Sequence, residues 1–107
     1  MSVLAAAATV LTITIWPGGD GAAHTWRLRC GPAGGTMPRA ATVCRRLNAV
    51  ADPFAPVPKS AVCTQNYGGP QIAIVRGTFR GRHVWARFNR RNGCEIARWK
   101  RVAFLFP

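Results

Sequence analysis

The stretch T-V-L-T-I-T-I-W, residues 9–16, alternates apolar and polar side chains and decides the fold class. Because successive side chains of a β-strand point to opposite faces, this alternation predicts a half-buried strand. The apolar residues share one face and the threonines share the other: Leu11, Ile13 and Ile15 against Thr12 and Thr14. The sheet that contains this strand is therefore expected to turn one face toward a core.

Further strands follow along the chain, separated by turn-forming residues. The cluster Pro17-Gly18-Gly19-Asp20-Gly21 is predicted to be a turn, and Gly31–Pro38 a loop. The predicted strands are His24–Cys30, Ile72–Thr78, Arg82–Asn89 and Val102–Phe106.

Two segments are predicted to be helical. Residues Ala40–Asp52 carry an apolar stripe at helical spacing and are followed by Pro53, which cannot continue a helix. The stripe consists of Val43, Leu47 and Val50. A second, short helix is predicted over Glu95–Arg101. Strands, a helix and further strands together indicate an α+β domain built on an antiparallel sheet.

Length and composition bound the organisation of the chain. Its 107 residues suffice for one domain, and 49% hydrophobic against 17% charged residues are typical of a folded chain. Residues 1–8 are predicted to be a disordered N-terminal segment or the remnant of a signal peptide, and residues 9–107 the domain. The first 19 residues lack the basic start of a secretory signal, and their threonines and Pro17 argue against a membrane span.

The chain has four cysteines: Cys30, Cys44, Cys63 and Cys94. An even number in a small chain rich in Gly and Pro favours two disulfides, and three pairings are possible. A zinc site would need closer cysteine pairs, and His24 and His83 lack metal-ligand spacing. We therefore expect no metal and no cofactor, and we expect an oxidising, extracellular location.

The charge is strongly unbalanced, with 15 Lys and Arg against 3 acidic residues and a net charge of +12. Three carboxylates and two histidines are too few to build a general acid–base pair. The sequence also contains no catalytic motif, so we do not expect an enzyme. Most of the basic residues lie between Arg76 and Arg101, interleaved with aromatic residues. This pattern fits a surface for nucleic acid or another polyanion, and it also fits the solvated face of a strand.

The segment 52–71 is the longest stretch without a predicted regular element, because four of the eight prolines lie in it. It nevertheless contains apolar residues such as Phe54 and Tyr67, and Cys63 anchors it. A long ordered loop in a compact domain usually carries a function.

Four segments carry a resemblance to a known family. They are R-L-R-C-G-P-A-G-G-T-M-P-R-A-A-T-V-C-R-R-L (27–47), C-T-Q-N-Y-G-G-P (63–70), G-T-F-R-G-R-H-V (77–84) and N-G-C-E-I (92–96). In order and spacing, the chain resembles the Streptomyces subtilisin inhibitor family of secreted serine-protease inhibitors. The resemblance implies a five-stranded antiparallel sheet with two helices packed on one face. It also implies the disulfides Cys30–Cys44 and Cys63–Cys94, and a homodimer formed through the sheets.

The resemblance further implies a reactive-site loop, presented to a serine protease of the subtilisin type. Its residues are Cys63, Thr64, Gln65, Asn66, Tyr67 and Gly68, with the scissile bond at Gln65–Asn66 and with Asn92 and Cys94 as loop support. Tyr67 matches the family pattern. Thr64 stands where the family often has proline, Gln65 where Met or Lys is usual, and Asn66 where an apolar residue is usual. The pair Gly68-Gly69 adds one residue before Pro70.

Two functions remain open from the sequence. The first is a secreted inhibitor that presents this loop to a protease, and the loop sequence favours it. The alternative is a non-inhibitory cationic domain on the same scaffold that binds nucleic acid or another polyanion, which the net charge of +12 favours. The homodimer has an argument of its own: Trp16 and Trp85 are left over for the second face of the sheet, where a twofold partner would cover them.

Overall fold

Residues 8–107 are described by a computed structural model, in which a five-stranded sheet forms one layer and two helices form the other. The strands are β1 (Thr9–Trp16), β2 (His24–Cys30), β3 (Gly34–Gly35), β4 (Ile72–Phe79) and β5 (Arg82–Phe88). The helices are α1 (Ala40–Ala49) and α2 (Gly93–Arg101), and a short 3-10 turn follows at Ala103–Leu105. All neighbouring strands pair antiparallel in the order β3-β2-β1-β4-β5, which confirms the predicted fold class.

Strand β1 lies at the centre of the sheet, between β2 and β4. Its register places Leu11 opposite Leu28 and Ile13 opposite Val75. Leu11 and Ile13 are fully buried, as the alternation of the sequence predicts. Because opposite residues of an antiparallel pair share a face, these pairs build a continuous apolar face, which we call the inner face.

The second layer covers the inner face. Helix α1 contributes the buried Val43 and Leu47, and α2 contributes the buried Trp99. Aromatic rings close the layer at β5, where Phe106 packs 5.5 Å from the ring of Phe88 and 4.6 Å from the ring of Trp99. The Phe88–Phe106 pair is edge-to-face and the Trp99–Phe106 pair is tilted. Each such pair contributes about 0.5–1.5 kcal/mol beyond the stabilisation that comes from buried area.

Both disulfides implied by the resemblance are present. Cys30–Cys44 joins the end of β2 to α1, with Cα atoms 5.8 Å apart. Cys63–Cys94 joins the segment between α1 and β4 to the first turn of α2, with Cα atoms 5.3 Å apart. The first therefore fastens a helix to the sheet, and the second fastens the long irregular segment to a helix.

One predicted strand is wrong, and the fifth strand lies elsewhere. Residues 102–106 form the 3-10 turn and its flanks, whereas the fifth strand is Gly34–Gly35, inside the segment predicted to be a loop. The physical reason is the spacing of the buried residues: Val102 and Leu105 are both fully buried, three positions apart. That spacing suits a helical turn that packs over the inner face, and a strand would turn one of the two side chains away.

The predicted helix boundaries need smaller adjustments. Helix α1 ends at Ala49 rather than Asp52, and α2 begins at Gly93 rather than Glu95. The earlier start follows from Asn92, which caps α2 by accepting a hydrogen bond from the Glu95 N–H at 3.0 Å. Residues 1–7 of the predicted N-terminal segment lie outside the described residues, and the carbonyl of Ala8 accepts a hydrogen bond from the Gly81 N–H at 2.9 Å.

Two features of residues 8–107 concern membranes and metal ions. No helix in this range has the length and apolar character that would be needed to cross a membrane. The same residues hold no cluster of His, Cys, Asp and Glu side chains that could bind a metal ion.

Gly77 in β4 tests how tightly the centre of the sheet is packed. It has a φ of +135°, and a Cβ atom there would overlap the carbonyl oxygen of Val10 on β1. We expect Gly77→Ala to lower the free energy of unfolding by about 2–5 kcal/mol, because backbone strain and overpacking add. Urea denaturation of the variant measures this change.

Gly18→Ala is the matched control for Gly77→Ala. A Cβ atom at Gly18 would meet only the Asp20 carbonyl oxygen, at 3.7 Å, which is ordinary contact. We expect this change to stay within about 0.5 kcal/mol of the wild type. Equal stabilities of the two variants would contradict the tight approach of β4 to β1.

Candidate reactive-site loop

The irregular segment from Asp52 to Gln71 is tied to the protein by arginine side chains of α2. Arg98 donates from Nε to the carbonyl oxygen of Ala55 at 2.8 Å and from Nη1 to that of Arg87 at 2.7 Å. Arg101 donates from Nη2 to the carbonyl oxygen of Asp52 at 2.8 Å. Because an irregular segment lacks strand partners, these side chains satisfy carbonyl groups that would otherwise depend on water.

Arg98 is the most enclosed of these anchors. Its guanidinium lies 4.1 Å from the centre of the Phe88 ring, and its Nη1 lies 3.7 Å from Oε1 of Glu95, beyond hydrogen-bond reach. Burial lowers the pKa of Arg98, the Glu95 carboxylate acts to raise it, and the charge of Arg101 lowers it further. The guanidinium still remains charged, since arginine is not deprotonated in proteins. Arg98 therefore joins the segment, the sheet and α2.

The predicted reactive-site loop, residues 63–68, is held at both ends. On one side, Cys63 is bonded to Cys94, and the carbonyl oxygen of Thr64 accepts a hydrogen bond from the Gly93 N–H at 3.1 Å. On the other side, the Gly68 N–H donates to the carbonyl oxygen of Arg90 at 2.7 Å, and the Gly68 carbonyl accepts from Arg90 Nε at 3.1 Å. All of these supports come from the short stretch 90–94.

The residues between the two supports point into solvent. Gln65, Asn66 and Tyr67 are exposed, and Tyr67 keeps 68% of its surface accessible. A cleft of about 320 Å³ opens beside Tyr67 and includes Arg87 and Arg91 in its lining. The three central residues of the loop are therefore available to a partner, while the backbone on either side is fixed.

Two glycines allow the loop to lie this close to its support. A Cβ atom at Gly93 would overlap Oγ1 of Thr64, and one at Gly68 would lie 2.8 Å from Cδ1 of Ile96. Ile96 belongs to α2, so the loop rests directly on this helix. The loop therefore contacts α2 at two places: Thr64 lies against Gly93, and Gly68 lies against Ile96.

Arg90 is a loop support that the sequence analysis missed. Its guanidinium lies 5.7 Å from the centre of the Trp99 ring, and Trp99 is buried in the second layer. The Arg90 side chain therefore contacts both the buried Trp99 and the carbonyl group of Gly68. The sequence offered only an arginine run at 90–91, which has the appearance of ordinary solvated charge.

Asn92, predicted as loop support, lies at the N-cap of α2. Its Oδ1 accepts from the Glu95 N–H, and the amide of the next residue, Gly93, binds Thr64. Asn92 thereby sets where α2 begins and where the Gly93 amide points. Its effect on the loop through the helix start stays a prediction.

An exposed stretch whose backbone is held on both sides by hydrogen bonds is accessible to strand-like recognition. A partner can pair with the main chain of residues 64–67 and receive the side chains in pockets.

The sequence family described as subtilisin inhibitor-like matches residues 6–92. This chain belongs to that family. The match covers most of the chain, including the loop residues 63–68, and ends two residues before Cys94. No curated protein matches the sequence.

Membership confirms the resemblance seen in the sequence and supports a protease-inhibitor role in general. Members of this family are inhibitors rather than enzymes, and they are typically extracellular. The two disulfides of the chain are compatible with an oxidising compartment.

Gly93→Ala tests the contact between the loop and α2. The added Cβ atom would push Thr64 away, although alanine itself favours the helix. We expect the amide of residue 93 to exchange its hydrogen about 5-fold faster or more, since one hydrogen bond of about 1 kcal/mol is weakened. Hydrogen exchange followed by NMR measures this rate, and Gly18→Ala serves as the control. An unchanged rate at residue 93 would show that the loop does not depend on this contact.

Proposed function

We propose that this protein is a secreted inhibitor that presents the Gln65–Asn66 bond to serine proteases of the subtilisin type. The observation that carries the proposal is the attachment of the loop. Three exposed residues lie between backbone hydrogen bonds to Gly93 and to Arg90, next to the disulfide Cys63–Cys94. This arrangement is what a slowly cleaved, substrate-like segment requires.

The loop binds by adding to the protease cleft as an extended strand. Its flanks are already ordered, so binding loses less conformational entropy than binding of a flexible peptide would. Affinity therefore rests on preorganisation of the backbone of residues 64–67 as well as on the side chains.

Resistance to cleavage follows from supports on both sides of the bond. After a cut at Gln65–Asn66, the Gln65 side stays attached through Cys63–Cys94, and the Asn66 side stays attached through the contacts between Gly68 and Arg90. The new amino group therefore remains close to the acyl-enzyme. Religation then competes with hydrolysis, because the reaction within the complex is effectively unimolecular.

Gln65 sets the choice of protease. Its side chain is long and neutral, so it offers no partner to the acidic group at the base of a trypsin-type specificity pocket. A broad, neutral pocket of the subtilisin type accepts it, at the cost of desolvating an amide. We therefore infer weak or moderate inhibition of subtilisin-type proteases and little inhibition of trypsin-type ones.

The homodimer stays a prediction of the resemblance. Exposed Val10 and Trp85, with 51% and 60% of their surfaces accessible, lie on the sheet face opposite the helices and favour a cover there. Arg76 lies on that same face beside Trp85, and a twofold partner would bring like charges together. Sedimentation of the protein at high concentration distinguishes a monomer from a homodimer.

Substitution of Gln65 tests the assignment of the specificity residue. We expect Gln65→Lys to strengthen inhibition of trypsin-type proteases by about 10-fold or more, because it supplies a charged partner for the acidic pocket. We expect Gln65→Met to strengthen inhibition of subtilisin-type proteases, because no amide is then desolvated. Inhibition constants against both enzyme types measure the two effects. Folded variants that leave all of these proteases unaffected would refute inhibition through this loop.

The two disulfides provide a matched pair of variants for the mechanism. Cys63→Ser/Cys94→Ser and Cys30→Ser/Cys44→Ser each remove one crosslink and each cost about 2–4 kcal/mol of stability. We expect only the first to turn the protein into an ordinary substrate that is cut at Gln65–Asn66 and loses inhibition with time. Residual protease activity and mass spectrometry of the cut chain follow this. Equally durable inhibition by both variants would contradict the proposed role of Cys63–Cys94.

A further inference from the structure

The side chain of Arg91 is free in a stretch where the neighbouring residues all make structural contacts. This stretch, residues 89–94, runs from the end of β5 into the first turn of α2, beside the candidate reactive-site loop. Its other residues hold the loop, the helix or the turn in place: Asn89, Arg90, Asn92, Gly93 and Cys94. Within residues 8–107, the guanidinium of Arg91 makes no hydrogen bond, ion pair or cation–π contact.

The backbone that carries this side chain is fixed. The Arg91 N–H donates to Oδ1 of Asn89 at 3.0 Å, and Asn89 is buried. The residue before Arg91 is bound to Gly68, and the residue after it caps α2. Arg91 itself is exposed. Its guanidinium is therefore presented to solvent from an ordered turn, so a partner has to order only the side chain on binding.

Arg91 lies on the Asn66 side of the proposed scissile bond. It lines the cleft of about 320 Å³ together with Tyr67, which is the second residue after that bond. Tyr67 is exposed, so its ring and the guanidinium border one opening. A protease that receives residues 64–67 as a strand places the rim of its own cleft against this side of the loop. Arg91 is therefore close to the part of a protease that binds the leaving half of a substrate.

The charge of Arg91 is not balanced by a carboxylate of the described chain. The one ion pair within residues 8–107 joins two side chains of α2. Asp20 lies in a turn that reaches the loop end of the sheet, since a Cβ atom at the neighbouring Gly19 would lie 2.7 Å from the carbonyl oxygen of Pro70. Asp20 nevertheless forms no ion pair with Arg91. An exposed guanidinium without a partner favours a carboxylate on the molecule that docks beside it.

We propose that Arg91 selects subtilisin-type proteases that carry a carboxylate on the rim of the cleft next to Tyr67, on the leaving-group side. The inference rests on the proposed inhibitory function and adds to it the charge of the preferred target. Arginine suits this role because its planar group donates two parallel hydrogen bonds to one carboxylate. The net charge of +12 steers an acidic protease toward the inhibitor, and Arg91 gives that attraction a defined contact.

Selection by charge falls to Arg91 because the neighbouring groups are neutral or already engaged. None of the residues 64–68 is charged, so Gln65 and the rest of the loop recognise shape and hydrogen bonds. Arg90 is occupied by the Gly68 carbonyl group and the Trp99 ring. Arg87 belongs to the sheet face on which the homodimer is predicted, and the inference makes no use of it. Arg91 follows the end of β5 and lies outside that face.

The test measures binding of the full chain to a protease by surface plasmon resonance. The protease is of the subtilisin type, its catalytic serine is replaced by alanine, and its rim bears a carboxylate on the leaving-group side. A second form of the same protease has the corresponding amide in place of that carboxylate. Because neither form can cleave the loop, binding is measured separately from resistance to cleavage.

We expect Arg91→Ala to weaken binding of the carboxylate form about 5-fold or more, because a charge-assisted contact is lost. The same variant should change binding of the amide form by less than about 2-fold. Arg91→Lys keeps the charge without the planar donor group, so it should recover part of the affinity. The difference between the two protease forms should shrink as salt is added, because salt screens an exposed charge pair.

Arg45→Ala is the matched control, because it removes the same charge from an exposed position on α1. The disulfide Cys30–Cys44 fastens this helix at the end of the sheet opposite to Ile72, where the loop segment enters β4. We expect Arg45→Ala to bind both protease forms within about 2-fold of the wild type, since screening limits distant charges.

Three outcomes would overturn the inference. An equal loss in Arg45→Ala and Arg91→Ala would show that binding reflects net charge alone. An equal effect of Arg91→Ala on both protease forms would show that the rim carboxylate is not its partner. Tight binding that Arg91→Ala leaves unchanged would refute the inference and leave the proposed function standing, whereas a wild type that binds neither form would refute both.

Discussion

The attachment of an irregular segment to the start of α2 is the constraint on which the candidate reactive-site loop depends. Cys63 is bonded to Cys94, the Thr64 carbonyl binds the Gly93 amide, and both contacts lie in the first turn of one helix. Helix α2 is itself packed on the inner face through the buried Trp99. The exposed loop is therefore attached to a close-packed part of the protein. Without these contacts, we expect a protease to cleave the segment as readily as it cleaves a flexible linker.

Arginine has two different uses in this protein. Arg90, Arg98 and Arg101 point toward the irregular segment and donate to its carbonyl oxygens, and two of them also lie over aromatic rings. Their planar donor groups replace the hydrogen bonds that a strand would have given this segment. Arg27 and Arg76 belong to the other group, which faces solvent without acidic partners. Part of the net charge of +12 therefore lies on side chains that hold the irregular segment, and part lies on side chains that face solvent.

The sheet separates these two uses. Its inner face carries the core and, through α2, the loop, while its other face carries the exposed arginines and Trp85. Alternation along β5 places Val84 and Ala86 inside and Trp85 outside, so one strand serves both surfaces.

The sequence by itself determined the parts of the structure that depend on local periodicity. The alternation at residues 9–16 predicted β1 and its buried face, and the four matching segments led to the family and to both disulfides. Tertiary structure decided the rest. Gly34–Gly35 becomes a strand because it pairs with the free edge of β2. Residues 102–106 form a helical turn because this places Phe106 against Phe88 on the inner face. Likewise, Arg90 supports the loop only because folding brings Gly68 and Trp99 to either side of it, and such proximity leaves no periodic trace in a sequence.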